Sequence, residues 1–197
     1  MKREERLDFI MAEKDGIITT SDALKLNISK TGFLDYVHRK GLRKISQGIY
    51  SSEDAWPDAF RDLQMRYPSI VFSHESALYL HDMAEREPSP ISITVRSGYH
   101  ASSMSKYNLK VYRTSADWID LGLIEKESPT SYPVRCYNLE RTLCDLLRSR
   151  KAVDYQELTA AFKSYVKRKD RNIPQLMRYG EVFRVTDKLK TYMEVLL

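Results

Sequence analysis

The stretch SKTGFLDYVHRKGLRKISQGIY, residues 29–50, decides how the first part of the chain folds. Ser29 offers a hydroxyl to the free N–H groups of a helix start, and Gly41 stands where a helix ends in the left-handed conformation. Between them, at 3.6 residues per turn, Phe33, Tyr36, Val37 and the stem of Lys40 share one face. Thr31, Asp35 and His38 lie opposite, with Arg39 beside them. One face packs and the other is left for a groove. Beyond Gly41, Leu42–Ile45 and Ile49–Ser51 read as two strand-like pieces joined by Ser46, Gln47 and Gly48, a hairpin turn.

Upstream, Leu7, Ile10 and Met11 recur at helical spacing on a charged segment running from about Lys2 and stopped by Asp15 and Gly16. Ile17, Ile18 and Thr19 form a short β-branched run. Thr20 or Ser21 then supplies an N-cap for a helix carrying Ala23, Leu24 and Leu26, and Asn27-Ile28 makes the turn into the helix already described. Helix, helix, turn, helix, hairpin is the order of a winged helix-turn-helix. Recognition helices of that fold present their N-terminal residues to the major groove, and free N–H groups there attract phosphate. Ser29, Lys30 and Thr31 are placed for that role, and Arg39, Lys40, Arg43 and Lys44 extend the positive strip to a hairpin tip at Ser46-Gln47. Asp35 is the one acid in the strip. It either accepts from a cytosine amino group or pairs with Arg39 or Lys30, and pairing is the expectation.

At 197 residues, with 42% hydrophobic and 30% charged side chains, the chain suits one large domain or two small ones and excludes a large multidomain enzyme. The net charge of +5 conceals an asymmetry. Residues 1–52 carry +3, residues 53–140 carry −4 and residues 141–197 carry +6, so two basic ends flank an acidic middle. Ser51-Ser52-Glu53-Asp54, ahead of Trp56-Pro57, is the expected linker. No apolar run resembles a signal peptide or a membrane span, and Cys136 and Cys144 read as free thiols, so a cytoplasmic protein is expected.

In the middle, Phe60, Leu63 and Tyr67 mark a helix, and Ile70-Val71-Phe72 a short buried strand leading to Ser73, which caps an amphipathic helix over residues 75–81. His74 and His81 are spaced to share a face, but no third ligand accompanies them, and no metal or cofactor is expected. Residues 91–95, 110–113 and 134–137 alternate like strands of a small sheet. Leu139, Leu143, Leu146 and Leu147 form a buried stripe, with Arg141, Asp145 and Arg148 on the opposite face at ion-pair spacing. Asp154 with Glu157 reads as a capping box for a helix bearing Leu158, Ala161, Phe162, Tyr165 and Val166. That helix ends in a basic cluster of Lys163, Lys167, Arg168, Lys169 and Arg171, either a solvated face or a patch for phosphate. Pro174 opens a helix with Leu176, Met177 and Phe183, and Leu189, Tyr192, Met193 and Leu196 mark the last. The chain is therefore expected to be α+β. A winged helix-turn-helix occupies residues 1–52, and residues 55–197 form a mixed α/β domain with a small sheet and a helical C-terminal end. GxGxxG, GxxxxGK[ST], HExxH and GxSxG are all missing, and no catalytic residue is assigned.

Three stretches, taken together, resemble the AbiEi family of bacterial antitoxins from abortive-infection toxin–antitoxin systems. They are Gly41 through Tyr50, Ser73-His74-Glu75-Ser76-Ala77-Leu78, and Tyr137 through Arg148 with its Leu-Glu-Arg-Thr-Leu-Cys-Asp-Leu-Leu run. The resemblance implies a non-enzymatic, phage-defence antitoxin that represses its own operon by binding inverted-repeat DNA. It also implies a C-terminal domain that opposes a nucleotidyltransferase-like toxin without a stable complex. The DNA-reading residues it implies are Ser29, Lys30, Thr31, His38 and Arg39, with Arg43, Lys44 and Gln47 on the wing. Asp35 stands where the family usually carries a base. The protein is expected to be a monomer or weak dimer in solution, with two copies on DNA. The basic face expected to serve the antitoxin role comprises Arg141, Asp145, Arg148 and the Lys163–Arg171 cluster. Two alternatives stay open: an enzymatic C-terminal domain acting on nucleotide or RNA, and a plain repressor with a ligand- or protein-binding C-terminal domain.

Overall fold

The computed structural model describes residues 3–149 and 155–196. The chain divides into two compact units, Met1–Pro68 with Ser128–Tyr132, and Ser69–Glu127 with Pro133–Leu197.

In the first unit, helix α1 (Arg3–Glu13) leads into strand β1 (Ile17–Thr19) and helix α2 (Thr20–Lys25). Thr19, not Thr20 or Ser21, caps α2, because only Thr19 has an acid at the third helical position to return its hydrogen bond. The Asp22 N–H donates to Thr19 Oγ1 at 3.1 Å, and the Thr19 N–H donates to Asp22 Oδ2 at 3.0 Å. Helix α3 (Lys30–Arg39) starts at Ser29, whose Oγ accepts from the Gly32 N–H at 3.2 Å. It ends at Gly41, where φ is +64° and the Leu42 N–H returns to the Val37 carbonyl. Strands β2 (Arg43–Ser46) and β3 (Ile49–Ser51) follow, and the sheet order is β1-β3-β2, all antiparallel. Leu7, Ile18, Ile28, Phe33, Tyr36, Val37 and Tyr50 bury together between the helices and this sheet, with Phe33 edge-on to Tyr50. Each such side chain contributes roughly 1.5–3 kcal/mol.

Helix α4 (Ala59–Arg66) belongs to the same unit, so the Ser51–Asp54 segment lies within it. The Asp58 carboxylate caps α4 at the Arg61 N–H and accepts from both the N–H and the hydroxyl of Thr130, at 3.1 and 2.7 Å. The buried Arg61 guanidinium donates to the Trp56 carbonyl and to Thr130 Oγ1. A loop distant in sequence is thereby tied to the first unit.

The second unit is built on a mixed five-stranded sheet of order β6-β5-β4-β8-β7: β4 (Val71–Phe72), β5 (Ile91–Arg96), β6 (Leu109–Thr114), β7 (Leu123–Glu127) and β8 (Pro133–Tyr137). The β5–β6 and β4–β8 pairs are parallel and the other two are antiparallel. Strand β7 and the short helix α6 (Ala116–Ile119) lay outside the sequence expectation, since Leu-Ile-Glu-Lys-Glu neither alternates cleanly nor buries a full face. Helix α5 (His74–Leu80) follows β4, and α7 (Leu139–Arg148) follows β8. Around α7 gather α8 (Tyr155–Lys167), α9 (Ile173–Val182) and α10 (Thr186–Leu196), joined by Leu143, Leu146, Leu147, Phe162, Leu176 and Leu189. Asp154, the expected cap of α8, lies outside the described residues, and Glu157 stands in the first turn of that helix. No helix among the described residues is long and apolar enough to cross a membrane.

Candidate functional site

On α3 the outward stripe consists of Lys30, Thr31, Leu34, Asp35 and His38, all exposed, and Ser29 is exposed at its N-terminus. Arg43 and Lys44 on β2 and Gln47 at the hairpin tip are exposed too. Ser46, expected beside Gln47, is instead buried, because a register shift between Lys44 and Ser46 turns it inward. Lys30, Arg43 and Lys44 form no ion pair among the described residues.

Arg39 and Lys40 are engaged by α1. Arg39 pairs with Glu4, and Lys40 pairs with Asp8 at 2.9 Å while lying over the Tyr36 ring. The Tyr36 hydroxyl also donates to Asp8 at 2.7 Å. The Asp8 carboxyl is held below its ordinary value, chiefly by the Lys40 hydrogen bond. The expected Asp35–Arg39 ion pair is not formed: Arg39 reaches the Asp35 backbone carbonyl and spends its charge on Glu4. Residues four apart on a helix meet, but a carboxylate offered from a neighbouring helix won the guanidinium.

On α7 the helical wheel misplaced two residues. Every residue from Leu139 to Leu147 is buried, so Arg141 and Asp145 form no solvated basic face. Arg141 is 1% exposed, its guanidinium between the Tyr137 and Phe183 rings at 4.3 and 4.1 Å. Nε donates to Asp145 Oδ2 at 2.8 Å, and Nη1 donates to the Trp118 and Leu121 carbonyls at 2.8 and 2.9 Å. Gly122 allows this approach, since a Cβ there would sit 2.7 Å from Arg141 Cβ. Amphipathic reading assumes that a helix has a wet side, and α7 has none until Arg148. Of the basic cluster, Lys163, Lys167, Lys169 and Arg171 are exposed, whereas Arg168 grips Asp170 through two hydrogen bonds of 2.8 and 2.7 Å.

Against α7 lies a half-open pocket of about 170 Å³ within the second unit, which sequence reasoning missed. His74, the first residue of α5, lies on its wall with φ +50°, a left-handed conformation uncommon for a residue with a Cβ. Its ring stacks on Tyr112 at 3.5 Å and sits between two hydroxyls, Ser73 Oγ at Nδ1 and Ser149 Oγ at Nε2, each 3.0 Å away. Ser73 occupies the cap position of α5 but gives the helix no side-chain bond. Its Oγ instead accepts from Thr94 at 2.8 Å. Burial pushes His74 down to about 4, so the ring is neutral at neutral pH. His81 is engaged elsewhere, with Nε2 at 2.9 Å from the Tyr137 carbonyl. Thr114 also lines the pocket. It is 6% exposed, and its Oγ1 has no hydrogen-bond partner among the described residues, an arrangement that costs roughly 1–3 kcal/mol. Arg113 and Arg148, both exposed, complete the rim. Burial pushes the Cys136 and Cys144 thiols up to about 12, which leaves neither reactive. Among the described residues no three His, Cys, Asp or Glu gather as metal ligands.

The molecule is thus a mixed α+β protein with two small sheets. No protein-family model matches the chain, and no curated protein does. The crystal structure of the RV2827C protein from Mycobacterium tuberculosis is similar to it, with a TM-score of 0.61 and 15% sequence identity over 91% of this chain and 71% of that one. At that identity the likeness is one of fold.

Proposed function

We propose that the first unit is a winged helix-turn-helix that binds double-stranded DNA, with α3 in the major groove and the β2–β3 hairpin as the wing. The observation that carries this reading is the exposed stripe of α3, which begins at the Ser29 cap and lies next in sequence to a hairpin whose Arg43, Lys44 and Gln47 are all exposed. Ser29, Lys30 and Thr31 approach base edges and phosphates at the helix start, His38 lies farther along the exposed stripe, and Arg43 and Lys44 contact the backbone. Arg39 and Lys40 join them by exchanging Glu4 and Asp8 for phosphate. Exposed ion pairs are worth about 0–1 kcal/mol, so the exchange is cheap.

Around this reader we place the wider role that the AbiEi resemblance supports. The protein is a cytoplasmic, non-enzymatic antitoxin that represses its own operon by binding inverted repeats as two copies, and its second unit opposes a nucleotidyltransferase-like toxin without a stable complex. Fluorescence anisotropy with DNA from upstream of its own gene tests the reader. K30A/R43A/K44A should abolish specific binding at physiological salt, and K44A alone should lower the slope of log K against log salt by about 0.9. Full binding by the triple variant would overturn the assignment. Coexpression with the adjacent gene tests the antitoxin role, which requires that this gene arrest growth and that the triple variant still protect.

A further inference from the structure

We infer that the pocket between α5, β6 and α7 binds the phosphate group of a small molecule, either inorganic phosphate or a phosphomonoester. The inference stands apart from DNA reading by the first unit. Arg113, Arg141 and Arg148 line the pocket against one acid, Asp145, while His74 is neutral. Both Asp145 oxygens are already taken: Oδ2 accepts from Arg141 Nε, and Oδ1 lies 3.5 Å from Arg148 Nη1. The remaining capacity is for an anion.

The hydrogen-bonding inventory points the same way. A phosphate dianion is all acceptor, and this pocket holds donors without acceptors. Thr114 Oγ1, more than nine-tenths buried on the wall, has no partner among the described residues. Arg141 uses Nε and Nη1 on protein atoms, and its Nη2 makes no hydrogen bond among the described residues. Ser149 Oγ, held by His74 Nε2, adds a hydroxyl. Arg148 lies over the Trp118 and Phe183 rings and makes one long contact to Asp145, and its 35% exposed side chain presents a guanidinium at the rim to an entering anion.

Size sets the class. About 170 Å³ is well under the roughly 300–1,000 Å³ that encloses a drug-sized ligand, so the pocket takes a head group and leaves any larger part outside. The stacked, doubly hydrogen-bonded His74 keeps the wall rigid, and its strained backbone marks a position that the surroundings over-determine.

Calorimetric titration of the full chain with inorganic phosphate, AMP and adenosine tests the inference. Saturable binding of phosphate or AMP is expected, with adenosine silent. AMP at least about tenfold tighter than phosphate identifies an ester, and phosphate equal or tighter identifies the free ion. T114V should weaken binding by about tenfold, the loss of one hydrogen bond to a charged group. It should not lower the melting temperature, because the hydroxyl it removes bonds nothing in the protein. R148Q should weaken binding by a similar factor. R43A/K44A should bind phosphate as the parent chain does; if it binds nothing, the affinity belongs to the first unit and the pocket assignment falls. No saturable binding of phosphate or AMP, adenosine as tight as AMP, or unchanged affinity in both T114V and R148Q would each overturn it.

Discussion

Arg39 on α3 and Arg141 on α7 each pair with a carboxylate, and water separates their roles. The Arg39 side chain is 61% exposed, and its partner Glu4 is nearly as open. Arg141 is 1% exposed between two aromatic rings, with Asp145 almost as buried. In water the Coulomb gain of a pair nearly cancels against hydration and side-chain entropy, so the Arg39 pair is easily exchanged for another anion. In the interior, losing one partner strands a charge where hydration cannot reach it. One ion pair is a reversible contact and the other a fixture that shapes a pocket.

The largest effect should come from stranding Asp145. R141M should lower stability by about 3–5 kcal/mol in urea unfolding, and R141M/D145L should recover a large part of that loss, since an apolar pair of similar volume replaces a buried ion pair. A single-variant loss below about 1 kcal/mol would mean that the Arg141 pair behaves like the Arg39 pair.

An intermediate effect is expected at Asp58. Burial raises its carboxyl, but hydrogen bonds from Ser128, the Arg61 N–H and Thr130 outweigh this and leave it below the ordinary value of 3.8. A depressed native value means stability that is complete above the unfolded value and lost as pH falls through the native one. D58A should therefore cost about 1–2 kcal/mol at pH 7, mostly as a lost cap. The gap between the parent and the variant should narrow as pH falls below the ordinary carboxylate range, as read by thermal unfolding across pH. A gap that stays constant with pH would contradict the charged-cap account.

The smallest effect should be at Glu4. E4Q should change stability by less than about 0.5 kcal/mol yet tighten DNA binding by a few-fold at low salt, because Arg39 no longer has to leave a carboxylate. Weaker binding by E4Q would show that Glu4 orients Arg39 toward DNA and does not compete with it.

Local signals on the chain were readable at both ends of α3 and along its buried face. Ser29 and Gly41 bracket α3 in sequence as they do in space, and Phe33, Tyr36 and Val37 are buried as their spacing demands. Thr19 was overlooked as a cap because the usual acid at the third helical position is Glu, and here Asp22 serves. The pocket was illegible for a different reason. Its walls come from residues 74, 94, 112–114 and 141–149, which β5–β6 pairing and the seating of α7 bring together. The Ser73-His74 and Arg141–Asp145 stretches carried the only available signal, polar residues inside otherwise apolar runs.

By itself the sequence determined most of the succession of helices and strands, β7 and α6 apart, together with the apolar stripes and the basic ends, because propensity, capping and periodicity act over a few neighbouring residues. Only the tertiary structure decided which charges stay in water. Arg39 and Arg141 look alike on a helical wheel, and their different fates follow from what packs against each helix, a question of long-range contact that no local pattern encodes.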